Sequence, residues 1–358
     1  MISIIGAGPI GSYLAYLLAK AGQKVALFEE HKEIGKPVQC TGIVTEDIDD
    51  IIKLDKKVIA NITSKAKIIS NDKEIVIDTK EIILYRDKFD KFLLDQAVKA
   101  GAKLYKGYKY ERFDSNLIYF SNKKTFRTDI LIGADGPNSK VARTNGMLRK
   151  REFYVGVQAR VKTDAEHDTY KVFLDDYYPD FFAWTVPEDK NIVRLGIAAK
   201  NNPDLVFENL IRTQKINTKN IIEKQGGLIP IYSPKQRLQN KNVFLVGDAA
   251  AQVKASTGGG LIPGLKSAKI LADCIINKKD YTKEFKKTVG KSLWLHLKIR
   301  DMLNSFTAHD YDILFDYINQ KKIRGMLSRN TRENPLKLLI KMLVLEPRFL
   351  RFISKAKL

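Results

Sequence analysis

Cysteine, histidine and long apolar runs are scarce in this 358-residue sequence. Its two cysteines, Cys40 and Cys274, are too few for a disulfide-framed secreted fold or a multi-cysteine metal cluster. The four histidines lack the close spacing that holds zinc, so no metal site is predicted. No uninterrupted run of about 18 apolar residues suggests a transmembrane helix, and no basic leader suggests a signal peptide. These absences indicate a cytoplasmic protein.

Acidic residues are also in deficit, and the net charge is +21. Residues 1–50 hold four Lys and seven acidic residues, whereas residues 280–358 hold 17 basic and 8 acidic residues. A basic C-terminal quarter favours an anionic partner, and the alternative is a solvated, lysine-rich surface. No recognisable nucleic-acid-binding module accompanies the charge, so nucleic acid is not the expected partner.

The first thirty residues have the pattern of a dinucleotide-binding unit. An apolar strand over 2–5 leads into Gly6-x-Gly8-Pro9-x-Gly11, which opens a helix, and a second strand ends at Glu29. Gly6 permits the tight turn, Gly8 lets a pyrophosphate approach the backbone, and Gly11 lets the helix pack closely. The helix N-terminus offers free amides, and the Glu29 carboxylate is placed to hold a ribose hydroxyl. The alternative is a glycine-rich turn without a ligand.

Two later strands end in acidic turns. Asp135-Gly136 follows the apolar run 130–133, and Asp248 follows the run 243–246. Ligands of open α/β sheets bind at such strand ends, although an acid there can also simply cap a helix. Gly258, Gly259 and Gly260 then open a predicted helix over 260–277.

Sheet-rich sequence separates these nucleotide-type elements, so we expect an α/β protein with a discontinuous Rossmann-like domain and an inserted β-sheet domain. The predicted cofactor domain comprises 1–65, 80–150 and 235–280, the β-rich substrate domain 66–79 and 151–234, and the basic helical C-terminal region 281–358. Local patterns predict a hairpin over 66–79 turning at Asn71 and Asp72, a strand over 82–84, several strands over 153–199 and mostly helix over 203–225.

Together these motifs resemble the FAD-dependent oxidoreductases related to p-hydroxybenzoate hydroxylase. The resemblance implies that FAD is the cofactor, that Asp248 binds its ribityl hydroxyls, and that Gly258, Gly259 and Gly260 lie against the flavin ring. It also implies that Asp135 and Gly136 form the Asp-Gly segment of that superfamily. Arg86, at the start of a helix, matches an arginine that often contacts the cofactor.

Further segments resemble the geranylgeranyl reductase family. Lys36-Pro37-Val38-Gln39-Cys40-Thr41-Gly42 is similar to its Pro-x-x-Cys-x-Gly segment. This similarity implies that Cys40 and Gly42 lie beside the flavin and makes Cys40 a candidate catalytic residue. The alternative for Cys40 is a small buried hydrophobic residue.

A second segment of that family is its Tyr-x-Trp-x-Phe-Pro substrate-cavity motif. Phe182, Trp184 and Pro187 match it, with Phe182 and Val186 replacing its tyrosine and phenylalanine. The resemblance implies that these residues line the substrate cavity, whereas plain core packing is the alternative for Trp184. Ala255 stands where a proline is common in the family.

A basic amphipathic helix is predicted near the C-terminus. Its charged stripe consists of Lys337, Lys341, Arg348, Arg351 and Lys355, and its apolar residues include Leu338, Leu339, Met342, Leu343, Leu345 and Leu350. Pro347 is expected to divide the helix. Such a helix suits an anionic membrane surface, which would make the protein peripheral on the inner face of the cell membrane. The alternative is a helix docked on the protein's own core.

The predicted function is FAD-dependent reduction of carbon–carbon double bonds in a geranylgeranylated lipid, the substrate that the resemblance implies. Two alternatives remain open: a flavin-dependent aromatic monooxygenase, and a non-catalytic FAD-containing protein that binds membranes or nucleic acid. No second glycine fingerprint is present, so the electron donor is left open among ferredoxin, a nicotinamide and another reduced carrier.

Overall fold

The computed structural model describes residues 1–70, 72–175 and 177–355. In chain order the strands are β1 (Ile2–Ile5), β2 (Val25–Glu29), β3 (Ile43–Thr45), β4 (Ile59–Ser70), β5 (Lys73–Leu84), β6 (Lys103–Lys106), β7 (Tyr110–Asp114), β8 (Leu117–Phe120), β9 (Thr125–Arg127), β10 (Ile130–Gly133), β11 (Phe153–Lys162), β12 (Thr169–Phe173), β13 (Ala183–Pro187), β14 (Ile192–Ala199), β15 (Ile221–Pro230), β16 (Gln239–Asn240) and β17 (Val243–Leu245). The α-helices are α1 (Pro9–Lys20), α2 (Arg86–Lys99), α3 (Lys140–Thr144), α4 (Pro203–Thr213), α5 (Leu261–Ile276), α6 (Tyr281–Phe285), α7 (Lys291–Leu303), α8 (Ala308–Ile318), α9 (Lys321–Leu327) and α10 (Pro335–Leu345). Across this described part of the chain, every helix is too short or too polar to cross a membrane.

One compact unit consists of three separate segments, 1–38, 86–152 and 229–294. Its six-stranded sheet has the order β16-β17-β10-β1-β2-β6, in which the pairings from β17 to β6 are parallel and β16 is antiparallel. All four residues of β1 are buried, as expected for a short apolar strand that is covered on both faces. This sheet confirms the predicted Rossmann-like fold assembled from discontinuous segments.

The order of the strands determines where this unit can bind a ligand. From β1 the chain proceeds to β2 and β6 on one side, whereas β10 and β17 lie on the other side. The strand order therefore reverses beside β1, and the carboxyl ends of parallel strands at such a point form a crevice. Gly6, Glu29, Asp135 and Asp248 all stand at or directly after the carboxyl ends of these strands.

The other compact unit comprises 39–85, 153–228 and 295–358. Its eight-stranded sheet has the order β15-β11-β14-β13-β12-β4-β5-β3, with β12 and β4 parallel in a ladder that is otherwise mainly antiparallel. Helix α4 contributes Val206, Phe207 and Leu210 to a core that also contains Leu195 and Ile197 of β14. The inserted sheet domain of the predicted fold is thus confirmed.

The hairpin predicted over 66–79 is part of a longer hairpin, which β4 and β5 form. The strand predicted over 82–84 is the end of β5, which pairs with β4 along twelve-residue strands. Their pairing shifts register between Ile59 and Asn61 and between Thr63 and Lys65, and these irregularities obscure the alternation in the sequence. Asn71 of the predicted turn lies outside the described residues.

The prediction of helix over 203–225 is wrong beyond Thr213. Ile221–Pro230 forms the edge strand β15 beside β11. Its residues Glu223, Lys224 and Gln225 favour helices intrinsically, but pairing with β11 overrides that local preference.

The compact units also differ from the predicted domain boundaries. The predicted cofactor domain includes residues 43–45 and 59–65, but these residues pair in the eight-stranded sheet. The C-terminal region is helical, as predicted, and its segment 295–358 belongs to the same compact unit as that sheet. Strand pairing joins residues far apart in sequence, which composition does not reveal.

As predicted, the helix breaks at Pro347: α10 ends at Leu345, and a 3₁₀ helix spans Pro347–Lys355.

Candidate cofactor and substrate sites

The three glycines of the first turn differ in what surrounds them. A Cβ on Gly11 would lie 2.0 Å from the Gly6 carbonyl oxygen, and one on Gly6 would lie 2.4 Å from the Ala134 carbonyl oxygen. A Cβ on Gly8 would meet no atom within 4 Å. Gly6 and Gly11 are therefore required by backbone packing, whereas Gly8 borders open space at the N-terminus of α1. Gly8 is also the N-cap of α1 and provides no side-chain cap.

Glu29 reaches this turn from the end of β2. One carboxylate oxygen accepts a hydrogen bond of 2.9 Å from the Ala7 amide. The other accepts bonds from the amide and the Nδ1 atom of His31, at 2.9 and 2.8 Å. The acid predicted to hold a ribose thus lies beside the glycine turn, where it also stabilises the backbone.

Asp248 lies at the carboxyl end of the sheet, after β17. Burial raises the pKa of its carboxyl group, and the charges of Arg86 and Arg151 oppose that rise. Arg86 donates two hydrogen bonds of 3.1 Å to the carboxylate of buried Asp90, one turn further along α2. A Cβ on Gly260 would lie 3.1 Å from an Asp248 carboxylate oxygen, so the glycine that directly precedes α5 lies against this acid.

Asp135 organises the turn after β10. Its carboxylate accepts a bond of 2.6 Å from the Ser139 hydroxyl and one of 3.0 Å from the Val141 amide. Burial raises the pKa of this carboxyl group, and both hydrogen bonds oppose the rise. In this structure Asp135 therefore shapes the backbone around Gly136, whose φ of +76° favours glycine.

Sequence reasoning missed Arg151. Its guanidinium donates to the carbonyl oxygens of Pro137 and Ala249 at 2.8 and 2.9 Å, so it joins the turns that follow β10 and β17. Burial lowers the pKa of Arg151, and Asp135 and Asp248 oppose this change. Its buried Nε atom has no hydrogen-bond partner among the described residues. The arginine stands in the run Arg149-Lys150-Arg151, where nothing distinguishes it from its neighbours.

In the sheet-rich unit, two side chains hold the loop Cys40–Gly42 at Thr41. They are Arg194 of β14 and Gln158 of β11. Arg194 donates to the carbonyl oxygens of Thr41 and Leu84. The Thr41 hydroxyl donates to the side-chain oxygen of Gln158 at 2.6 Å. The Gly42 amide donates to the Cys40 sulfur at 3.3 Å, so the loop folds back on its own thiol.

Gln158 also links this loop to the aromatic motif. The same amide oxygen accepts a bond of 3.2 Å from the Trp184 indole nitrogen, and the Gln158 amide nitrogen donates to Gln225 at 2.7 Å. Gln158 is only 5% exposed, so its amide serves as a buried connection between Thr41 and Trp184. A single glutamine within an apolar strand gave no signal of this role.

The three candidate substrate residues lie on and just before β13. Trp184 opposes Gly196 of β14, where a Cβ would lie 2.6 Å from the indole ring. Phe182 packs against Trp184 with ring centroids 5.9 Å apart, and Pro187 is buried at the end of the strand. Phe181 and Phe182 stack at 4.2 Å, and buried Arg300 lies 4.4 Å from the Phe181 ring.

A dinucleotide fits the chemistry of the first unit. Open space faces Gly8, acids stand at the strand ends, and the buried Nε of Arg151 lies between two of the turns. A family model described as FAD binding domain matches residues 1–277. The chain belongs to this FAD binding domain family. FAD is therefore its cofactor, as predicted.

Similar proteins extend over nearly the whole chain. A digeranylgeranylglycerophospholipid reductase of Methanothrix thermoacetophila is 27% identical, with 93% of this chain and 96% of the relative covered. Digeranylgeranylglycerophospholipid reductase 2 of Methanopyrus kandleri is 26% identical, with 98% of each chain covered. These relatives confirm the resemblance to the geranylgeranyl reductases that the motifs indicated.

Solved structures support the fold. A geranylgeranyl bacteriochlorophyll reductase-like protein from Thermoplasma acidophilum has a TM-score of 0.86 and is 22% identical, with 99% of this chain and 98% of that chain covered. The flavin-dependent halogenase CmlS has a TM-score of 0.71 and is 15% identical, with 97% of this chain and 78% of that chain covered. At these identities the likeness establishes the fold and leaves the reaction to other evidence.

Proposed function

We propose that FAD binds along the carboxyl ends of the parallel strands. The first-turn amides of α1 and the open space at Gly8 receive the pyrophosphate, and Glu29 holds a ribose hydroxyl. Asp248 holds the ribityl chain, and the turn Gly258–Gly260 lies against the flavin. Arg86, Asp135 and Gly136 complete the site through charge and turn geometry. The support is that Gly6, Glu29, Asp135 and Asp248 stand at or after the carboxyl ends of four neighbouring parallel strands of one sheet.

We further propose that the protein reduces carbon–carbon double bonds of geranylgeranyl chains on a membrane phospholipid. The observation that carries this proposal is the alignment of 93–98% of the chain with proteins named digeranylgeranylglycerophospholipid reductase. Bound FAD, once reduced by an external carrier, supplies the hydride for this reaction. An isolated alkene develops no oxyanion, so an apolar cavity rather than a catalytic triad is the expected surrounding.

The candidate substrate residues suit that chemistry. Phe182 and Trp184 are half-buried and offer aromatic surface, whereas Pro187 is buried at the end of β13. The indole nitrogen is already bonded to Gln158. We propose that they contact the prenyl chain and that the Cys40–Gly42 loop lies at the flavin, with Cys40 as the candidate catalytic thiol. Arg194 and Gln158 act as positioning residues through Thr41.

The substrate also bears on where the protein acts. A phospholipid with two prenyl chains resides in a membrane, so we propose that the protein associates peripherally with the anionic inner face of that membrane. The surplus of basic residues in 280–358 supports this association.

The test uses the FAD-loaded protein reduced without oxygen. Digeranylgeranyl phospholipid in detergent is added, and the product is analysed by mass spectrometry. We expect a gain of two hydrogens for each double bond reduced, together with reoxidation of the flavin. The fully saturated lipid is the control and should leave the flavin reduced.

Two results would overturn the proposal. One is an unchanged lipid mass under conditions in which the flavin is demonstrably reduced. The other is oxygen uptake coupled to a hydroxylated aromatic product, which would identify a monooxygenase.

A further inference from the structure

Helix α10 exposes apolar side chains in a row. Leu336, Ile340 and Val344 are 59%, 52% and 75% exposed, and they follow one another at intervals of four residues. Residues spaced in this way lie along one face of a helix. We call these three residues the α10 ridge.

The ridge is distinct from the face of α10 that packs inward. Met342, Leu343 and Leu345 contact a small core formed by Ile323, Phe349 and Phe352. The apolar face predicted from the sequence therefore includes several residues that pack against the protein's own core. The ridge remains after that core is complete, so folding of this unit does not account for it.

Exposed apolar residues are concentrated at this end of the chain. Of fourteen large hydrophobic residues exposed in the described part of the chain, five lie within residues 336–353. Besides the ridge they are Leu350 and Ile353, at 57% and 40% exposure. Single exposed hydrophobic residues are ordinary, but a group of this kind marks an interaction site.

The charge around the ridge indicates what covers it. Residues 321–355 contain ten Lys and Arg residues and two Glu residues, a net charge of +8. Some of these cations have carboxylate partners: Arg348 pairs with Glu346, Lys355 with Asp310 and Arg332 with Glu81. Lys337 is exposed and follows Leu336 directly. Successive residues of an α-helix are about 100° apart, so the charge of Lys337 lies beside the ridge.

We propose that the α10 ridge inserts into the surface of an anionic lipid membrane, with the surrounding cations contacting the headgroups. An eleven-residue helix is about 16 Å long, too short to span a bilayer but suited to lie in its interface. A fluid lipid surface can receive a convex ridge without a preformed groove. A second copy of this chain is disfavoured as the occupant because it would bring two strongly basic surfaces together.

This inference deepens the proposed function by assigning the membrane contact to particular side chains. The test measures sedimentation of FAD-loaded protein with vesicles. One set is phosphatidylcholine alone, and the other contains equal parts of phosphatidylcholine and phosphatidylglycerol. The ridge variant is Leu336→Gln/Ile340→Gln/Val344→Thr, and the charge variant is Lys337→Glu.

The matched control is Leu205→Gln/Ile222→Thr, at positions 56% and 52% exposed outside the C-terminal segment. We expect the natural protein to bind the anionic vesicles preferentially. The ridge variant should bind at least about tenfold more weakly than the natural protein, whereas the control should bind like the natural protein. The charge variant should bind more weakly, and added salt should reduce binding of all the proteins.

Equal binding of the ridge variant and the natural protein would overturn the inference, because charge alone would then explain attachment. Equal binding to the two vesicle types would overturn it as well. Sedimentation velocity without vesicles supplies a third arm. If the natural protein is a dimer and the ridge variant is a monomer, the ridge is an interface between copies and the inference is overturned. The ridge variant should keep its FAD content and its reduction of detergent-dispersed lipid. These two measurements distinguish a loss of membrane binding from a failure of the proposed function.

Discussion

At the scale of single residues, one type of amino acid serves two different purposes within a six-residue turn. A Cβ on Gly11 would collide with the Gly6 carbonyl oxygen, and one on Gly6 with the Ala134 carbonyl oxygen. A side chain at Gly11 would therefore push α1 away from the turn after β1, and one at Gly6 would push that turn away from the segment after β10. Gly8 has a φ of −66°, which any residue can adopt, and open space around it. Packing explains the first two glycines, and the proposed approach of the pyrophosphate to the backbone would explain the third.

A pair of substitutions separates these roles. Gly11→Ala should destabilise the apoprotein by about 3 kcal/mol, because the methyl group overlaps the Gly6 carbonyl. Gly8→Ala should change apoprotein stability by less than about 1 kcal/mol yet weaken FAD binding about tenfold or more. Urea unfolding of the apoproteins and FAD titration followed by flavin fluorescence provide the measurements. Unchanged FAD affinity in Gly8→Ala would contradict the proposed pyrophosphate position.

Predictability at this scale depended on whether a residue belongs to a local pattern. Gly6, Gly8, Gly11 and Glu29 stand at fixed positions around two apolar strands, so their spacing predicts a dinucleotide site. The role predicted for Asp248 came from the family resemblance. Arg151 and Gln158 act through partners distant in sequence, such as Ala249 at 98 residues and Trp184 at 26 residues. No local spacing encodes such contacts.

At the scale of elements, a buried ion-pair network holds the loop that carries Cys40. Glu188 on the turn after β13 is 2% exposed and bonds Arg160 at 2.7 Å and Arg194 at 2.9 Å. Arg194 in turn donates to the Thr41 carbonyl. The position of the Cys40 loop therefore depends on an acid from another part of the sheet.

Glu188→Gln tests this dependence. Burial disfavours the charge of Glu188, but the two arginines outweigh it and hold the pKa of Glu188 below its ordinary value. A carboxyl group whose pKa is lowered by folding stabilises the protein above its unfolded pKa, and this contribution is lost as the pH falls through the folded value. The free energy of unfolding of the variant should thus be about 3 kcal/mol lower near pH 7 than that of the natural protein. This difference in stability should become smaller below about pH 4.3.

Urea unfolding between pH 7 and pH 3 measures this difference. Asp168→Asn is the control, since its pair with Lys65 is about half exposed and should contribute less than about 1 kcal/mol. The reaction of Cys40 with a thiol reagent should also accelerate in Glu188→Gln, while Cys274 is 3% exposed and stays unreactive in the folded protein. An unchanged thiol rate would show that the loop is held without this network.

At the scale of the whole molecule, the proposed cofactor contacts come from segments far apart in the chain. Apart from the Cys40–Gly42 loop, they lie in 1–38, 86–152 and 229–294, which together form one compact unit. Binding to the folded state alone stabilises that state by mass action, so FAD should raise the thermal unfolding temperature.

Thermal unfolding of the apoprotein with added FAD measures this linkage. At a hundredfold excess over its dissociation constant, FAD should add about 2.7 kcal/mol to the free energy of unfolding. Riboflavin, which lacks the pyrophosphate and the adenosine, is the matched control and should stabilise much less at the same concentration. Equal stabilisation by the two compounds would argue against the roles of Gly8 and Glu29.

The sequence by itself predicted the nucleotide-type fold, because short-range rules of strand, turn and helix place its residues next to one another. The cofactor and the family followed from the resemblance of its motifs to those of known flavoproteins. Only the tertiary structure decided that 43–45 and 59–65 pair in the second sheet, that Arg151 joins two turns, and that α10 keeps an exposed ridge after its core is filled. These features depend on pairing and packing between distant segments. Such contacts are selected by the free energy of the whole fold rather than by any local pattern.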